Sequence, residues 1–406
     1  MRKLLFILSL CCFTFVASCS DDAIDVDDVN KQTILIYMPW SGTTSSSGLY
    51  SYFLQNLDSI KSAIIDDGGT VGRVLVFLST SASESKLYEL SYENNVLTEI
   101  PVKTYSGSNY TTASGITEIL NDVQSYAYAL NYAMIVGCHG VGWTFKDDWT
   151  NYPYQSKQHQ SPANWQGAKA QGGFYPTTRF FGSVSDMTYA TDIPTLAEGI
   201  EGAGIKMQYI LFDDCYMSNI ETAYELRNAT YFLIGSTSEV MAIGMPYQTM
   251  WSYLASATPD YSSAVSAFYS FYSSYTYPYG SLTAVDCQQV EKLAQIMKEI
   301  NVRYTIADSL VDSVQVLDGF NTPIFYDLED YVENLCENTS LLSDFQSQLD
   351  KVVRATETTD SIYSYLYASP KYIKVETSSG VTISDLSRNS VAINGREKTA
   401  WWTATH

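Results

Sequence analysis

Hydrophobic positions along the chain follow two alternating patterns. Residues 33–38, 73–78, 133–137, 208–212 and 231–235 are nearly continuous runs of aliphatic and aromatic residues, which predict strands buried on both faces. Between them, apolar residues recur every three or four positions. Residues 48–65 do so through Leu49, Phe53, Leu57, Ile60 and Ile64, and residues 116–128, 192–200 and 219–227 follow the same spacing, so each predicts a helix. Asp192 stands where an N-cap belongs, two residues before Pro194. Residues 87–91 and 96–102 alternate apolar and polar around Asn94-Asn95 and predict a hairpin. Further on, 261–279, 290–304, 328–336 and 345–355 predict helices, 282–286 a strand, and 371–383 two short strands. Buried strands alternating with helices indicate an α/β sandwich, a mainly parallel sheet between two helical layers, with an α+β extension at its C-terminal end.

Two stretches break the pattern. Residues 146–187 are polar, Gly-, Pro- and aromatic-rich without periodicity, too long for an ordinary loop, and predict a functional or processed insertion. At the start, Met1-Arg2-Lys3 precedes fourteen mostly apolar residues, Leu4 to Ala17, too short to span a bilayer comfortably and shaped like an export signal. It ends Ala17-Ser18-Cys19, which resembles a lipobox with Cys19 as the lipidated residue, and Ser20-Asp21-Asp22 resembles the acidic export tag of Bacteroidetes surface lipoproteins. The expected organisation is therefore a signal over 1–19, an acidic tether over 20–31, a catalytic core over 32–260 containing the 146–187 insertion, and 261–406 as the C-terminal part of the same unit. The expected location is the outer membrane, facing outward, with the lipid as the only membrane contact and the protein monomeric.

Composition narrows the chemistry. The 406 residues carry 23 Lys+Arg, 44 Asp+Glu and three His, a net charge of −21. Losing the signal leaves 21 basic against 44 acidic residues, or −23. This excludes a nucleic-acid backbone as partner, since that needs clustered cations. Outside residues 1–19, Cys138, Cys215, Cys287 and Cys336 are widely spaced, which fits neither a disulfide framework nor a zinc site. Cys287 and Cys336 read as core residues. His159 lies in a polar stretch and His406 ends the chain, so His139 is the one histidine with a structured context.

Ligands of open α/β sheets bind beyond the carboxyl ends of the strands. There the run 134–137 leads into Cys138-His139-Gly140, and the run 209–212 leads into Asp213-Asp214-Cys215. An imidazole beside a thiol takes its proton or stabilises the thiolate, which then attacks a carbonyl. The oxyanion needs N–H donors, and Gly140 and Cys215 supply two backbone candidates. Cys215 also precedes the helix at Asn219, whose N-terminus favours a thiolate. Cys138 is the rival nucleophile, but in extended chain it points away from its neighbour.

These blocks carry a resemblance. Residues 136–143, Val-Gly-Cys-His-Gly-Val-Gly-Trp, and residues 212–226, with Phe212-Asp213-Asp214-Cys215-Tyr216-Met217 and Glu221-Thr222-Ala223-Tyr224-Glu225-Leu226, are similar to the two signature segments of the clostripain family. Residues 235–239, Pro246-Tyr247, 281–286 and 399–402 also fit. The resemblance implies a caspase-like α/β/α fold, a cysteine endopeptidase acting on proteins or peptides, His139 as base and Cys215 as nucleophile. It also implies preference for Arg or Lys before the scissile bond, with Asp213 and Glu239 as substrate-binding acids, and self-cleavage within the insertion, which holds Lys157, Lys169 and Arg179. Calcium dependence occurs in the family, but no EF-hand-type loop is present and no metal or cofactor is assigned.

Some points stay open. Asp213 either lines a basic pocket or caps backbone N–H groups. Residues 240–245, Val-Met-Ala-Ile-Gly-Met, are apolar where relatives often carry a further acid, which favours an apolar specificity instead. The family's Asp before the His is Cys138 here, and its Ala before the Cys is Asp214. Two other functions compete: a catalytically silent surface lipoprotein binding a host polymer or glycan through its 33 Tyr and 7 Trp, and an acyl or peptidyl transferase using the same dyad.

Overall fold

The structure is a computed structural model describing residues 29–42, 48–149, 187–275, 278–364 and 371–406. The signal, Cys19, the Ser20-Asp21-Asp22 tag and nearly all of the tether lie outside the described residues, as does the insertion between 150 and 186 with His159, Lys157, Lys169 and Arg179.

Nine strands form one sheet: β1 (Gln32–Met38), β2 (Arg73–Ser81), β3 (Glu84–Glu93), β4 (Val96–Ser106), β5 (Asn131–Val136), β6 (Met207–Phe212), β7 (Thr230–Gly235), β8 (Ser281–Asp286) and β10 (Val353–Thr358), in the order β10-β8-β7-β6-β5-β1-β2-β3-β4. The five strands from β2 to β7 across the centre pair in parallel. Antiparallel strands close both edges, β3 and β4 on one side, β8 and β10 on the other. The expected mainly parallel α/β architecture is what is found. Asn94 and Asn95, with φ of 52° and 64°, make the turn of the β3–β4 hairpin, since consecutive left-handed residues match the strand twist.

Strand β1 shows why the sheet is sandwiched. Ile34, Ile36 and Met38 face one core and Leu35 and Tyr37 the other, all of them buried. Helix α1 (Tyr50–Asp66) packs against α5 (Tyr247–Leu254), and α5 against α6 (Tyr261–Ser273), on the first face. The second face carries α2 (Ala113–Tyr126), α3 (Ile193–Gly202), α4 (Ile220–Glu225), α7 (Val290–Arg303), α9 (Thr339–Val352) and α10 (Ala400–Thr405). Between α7 and α9 the chain forms β9 (Tyr326–Asp327) and α8 (Leu328–Leu335). The tail adds β11 (Ser361–Ser364), β12 (Lys371–Lys374) and β13 (Thr382–Ile383) in two small antiparallel pairs, β11 with β12 and β13 with β9. No helix of the described residues is long and apolar enough to cross a membrane.

Three local expectations change. The helix expected over 345–355 starts at Thr339, capped by Asn338, and stops at Val352, because Val353 to Thr358 pairs as a strand along β8. Val353, Thr356 and Thr358 are β-branched, and the open edge of β8 decides between two local patterns. The helix from 261 ends at Ser273 rather than continuing to 279. Asp192 precedes α3 but does not cap it; its carboxylate accepts the backbone N–H of Lys146 at 2.8 Å.

Candidate active site

Parallel pairing brings the carboxyl ends of β5 and β6 side by side. The ladder ends where the N–H of Asp213 donates to the carbonyl of Val136 at 2.8 Å. Beyond it lie both chemically interesting segments, residues 137–143 and 213–219. His139 and Cys215 are both fully buried. Gly140 lies directly on the cysteine turn: a Cβ there would stand 2.5 Å from the carbonyl oxygen of Cys215 and 3.0 Å from its nitrogen. Only a residue without a side chain lets the two backbones approach this closely. The sequence expected His139, Gly140 and Cys215 at neighbouring strand ends, and the fold brings these three segments together.

The cysteine turn is strained and held. Tyr216 has φ of 61°, a left-handed conformation that costs a bulky residue of order 1–3 kcal/mol. Its surroundings supply the compensation. Its N–H donates to the Ser238 carbonyl at 2.9 Å, its hydroxyl donates to Glu239 Oε1 at 2.8 Å, and its ring stacks on Phe325 with centroids 4.9 Å apart. Burial, reinforced by the charges of Glu239 and Asp318, raises the phenol well above its ordinary pKa, so it remains a donor. The turn then enters α4, whose N-cap Asn219 accepts the Thr222 N–H at 2.7 Å. Helix α4 is only six residues long, so its dipole is a weaker source of thiolate stabilisation than the sequence suggested. A nearer donor exists: the N–H of Val240 points at Cys215 Sγ, 3.1 Å away.

The two aspartates before the cysteine diverge. Asp213 faces the loop between β7 and α5. Tyr247 donates its hydroxyl to Asp213 Oδ2 at 2.9 Å. Gly244, at φ of 73°, closes over the carboxylate, and a Cβ there would lie 2.8 Å from Oδ1 and closer to Oδ2. This loop is fixed from a distance: Asn56 of α1 donates to the Ile243 carbonyl at 2.7 Å and Tyr272 of α6 to the Gly244 carbonyl at 2.5 Å. Asp214 turns the other way, toward Cys138. Glu239 is buried, with its carboxylate on Tyr216 and Ser364 and its carbonyl receiving the Tyr279 hydroxyl.

Behind the site, the tail is bound in. The indole N–H of Trp143 donates to Ser384 Oγ at 2.9 Å, and the Ser384 N–H donates to Glu221 Oε1 at 2.8 Å. Burial pushes Glu221 up to about 8, with help from the charge of Asp385, and burial pushes Asp385 up to about 7. Cys287 and Cys336 are buried in the core, as expected for structural thiols. His406 stacks on Trp402 at the far end of the chain. Among the described residues, no three His, Cys, Asp or Glu side chains are grouped to hold a metal ion.

Sequence reasoning missed Asn56, Tyr216, Tyr272 and Tyr279 as parts of this site. Each acts through a contact across the fold, and only Tyr216 had a local signal, its place directly after the nucleophile candidate.

The family model of the clostripain family matches residues 180–391. A crystal structure of a secreted C11 cysteine protease from Bacteroides thetaiotaomicron, called iotapain, is 43% identical, covers 93% of this chain and 99% of its own, with a TM-score of 0.82. A clostripain from the same organism, in complex with the peptide inhibitor BTN-VLTK-AOMK, is 49% identical over 56% of this chain and 99% of its own, with a TM-score of 0.54. An inactive zymogen C11 protease from Parabacteroides distasonis shares the fold at 24% identity, covering 93% of this chain and 99% of its own, with a TM-score of 0.75. No curated protein sequence matches significantly. The silent-lipoprotein reading is thereby set aside, and the chain belongs to the clostripain family of cysteine peptidases, with the caspase-like fold and the endopeptidase activity of that family.

Proposed function

We propose that His139 and Cys215 are the catalytic dyad of this endopeptidase and that it cuts after Arg or Lys. The observation that carries the dyad is the contact of Gly140 with the Cys215 backbone, which sets the histidine segment on the cysteine turn. In this reading the Cys215 thiol passes its proton to His139, and the Val240 N–H stabilises the thiolate that results. The thiolate attacks the scissile carbonyl. The N–H groups of Gly140 and Cys215 receive the oxyanion, and the His139 imidazolium protonates the leaving amine. Water, deprotonated by His139, then releases the acyl group from sulfur.

Asp213, whose carboxylate lies against Gly244 and Tyr247, is the acid proposed to meet the basic side chain. Buried acid against substrate cation is a strong, charge-assisted pairing. The inhibitor bound to the 49% identical relative has lysine as the last residue of its VLTK peptide, which supports a basic preference here. Glu239 contributes through Tyr216, which it holds in place, and lends negative charge to the same wall. Both dyad side chains are buried in the single chain, so substrate entry requires chain to move aside. Self-cleavage within 146–187, which carries Lys157, Lys169 and Arg179, fits that need, and the Cys19 anchor places the enzyme at the outer face of the cell.

A fluorogenic peptide library varied at the residue before the cut tests this. Wild type is expected to cleave after Lys and Arg, and Cys215→Ala to lose about 10⁴-fold or more. Retained activity in Cys215→Ala rejects the nucleophile. Conversion of Cys215→Ala to two chains during purification rejects self-cleavage.

A further inference from the structure

We infer that Cys138 and Asp214 form a positioning bridge that sets the distance between the base and the nucleophile. This rests on His139 and Cys215 being the dyad. Two of the positions at which the sequence departs from the clostripain pattern are the two ends of one buried contact. Asp214 Oδ1 accepts the backbone N–H of Cys138 at 2.6 Å, and Oδ2 faces the Cys138 thiol at 3.3 Å. Both residues are fully buried.

Its place in the ladder explains what the bridge does. Backbone pairing of β5 and β6 ends with Asp213 donating to Val136. Beyond that point no strand pairing ties the two segments, yet the dyad residues lie just there. The Asp214 carboxylate takes over as acceptor where a β6 carbonyl would have served had the strand continued. It grips Cys138 on one side of His139. On the other side Gly140 packs on Asp214 itself, since a Cβ at 140 would stand 2.7 Å from Asp214 Cβ. One side chain, adjacent to Cys215, thus fixes the residues before and after His139.

Because positions 138 and 214 face each other across two strand ends, the carboxylate can in principle come from either side. That gives a discriminating test in the full chain. Asp214→Ala is expected to lower kcat by about 10²-fold, because loss of fixed geometry near the reacting atoms costs that much. KM should stay within about twofold, since the Asp213 pocket is untouched. Exchanging the pair, Cys138→Asp with Asp214→Ala, should recover at least about tenfold of that loss by restoring one carboxylate between the strands. Each variant is titrated with an irreversible thiol inhibitor, so that kcat is per reactive site and partial misfolding is not counted as lost rate.

Recovery by the exchange, at unchanged titratable fraction, is the expected result. Asp214→Ala with wild-type kcat per site overturns the bridge, and so does a folded exchange variant no faster than Asp214→Ala. If neither alanine-containing variant folds, Asp214→Asn decides. It keeps one acceptor oxygen and the shape, and is expected to lose about tenfold in kcat; wild-type kcat overturns the inference. A failure of the nucleophile reading is seen separately, as activity that survives Cys215→Ala.

Discussion

The turn after β6 has two sides built on different plans. Toward the 239–247 loop its contacts come from residues far away in sequence: Asn56 on α1, Tyr272 on α6 and Tyr279 before β8 each hold a carbonyl of that loop. Toward residues 138–140 the contacts are short and local to two neighbouring strand ends. Beyond Val240, whose N–H lies on Cys215 Sγ, the first side can change its lining without disturbing the strand ends of the proposed dyad, because the carbonyls of Ile243 and Gly244 are each held by a separate side chain. The second cannot, because the same atoms that fill it also place His139. Specificity is thus expected to vary on one side and rate on the other.

Gly244→Ala breaks this contrast most severely on the specificity side. The position has φ of 73°, and a Cβ would press on both Asp213 oxygens. Strain and crowding of the Asp213 carboxylate together should reduce kcat/KM for Lys and Arg substrates by roughly 10²-fold. Alkylation of Cys215 by a small thiol reagent should stay within about threefold of wild type, since the dyad side is not touched. Equal losses in both measurements would show that the two sides are not separable.

Asp213→Asn sharpens the same point with less distortion. Removing the charge while keeping the shape should cost basic substrates about 2 kcal/mol, or roughly 30-fold, and leave substrates with apolar residues before the cut nearly unchanged. A uniform loss across the library would instead identify Asp213 as a cap of the local backbone. Tyr247→Phe is the milder version. It deletes the hydroxyl that donates to Asp213 Oδ2 and should cost about 3- to 10-fold, again for basic substrates only.

How far the sequence alone leads differs in the same way. The central strands, the hairpin turn and the placing of His139 and Cys215 at neighbouring strand ends follow from periodicity and from the rule that sites gather at carboxyl ends of parallel strands. The opposed directions of Asp213 and Asp214 also follow from strand alternation. What does not follow is anything settled by a distant partner. Val353 to Thr358 leaves its helical pattern because β8 offers an edge. Asp192 gives up its cap for Lys146. Cys138 and Asp214 read as two unrelated departures until the fold sets one against the other.

The smallest expected effect concerns the tail that closes the back of the site. Glu221 is fully buried and Asp385 half-buried, with pKa values raised to about 8 and about 7, so the folded protein holds protons that the unfolded chain releases near pH 4. For acids raised on folding, their contribution to stability is complete below the unfolded values and is lost as pH climbs through the folded ones. Stability should therefore fall between about pH 4 and pH 8 from this pair, opposite to the usual effect of ion-paired carboxylates. Glu221→Gln keeps an oxygen to accept the Ser384 N–H and mimics the protonated acid. It should leave the melting temperature at pH 5.5 nearly unchanged and raise it by roughly 2–4 °C at pH 8.5. A wild type and variant whose melting curves stay parallel across that range would show that Glu221 carries no proton into the fold. The tail would still be held by the Trp143–Ser384 bond and by the bonds of Gly380 and Thr382 with Ser218.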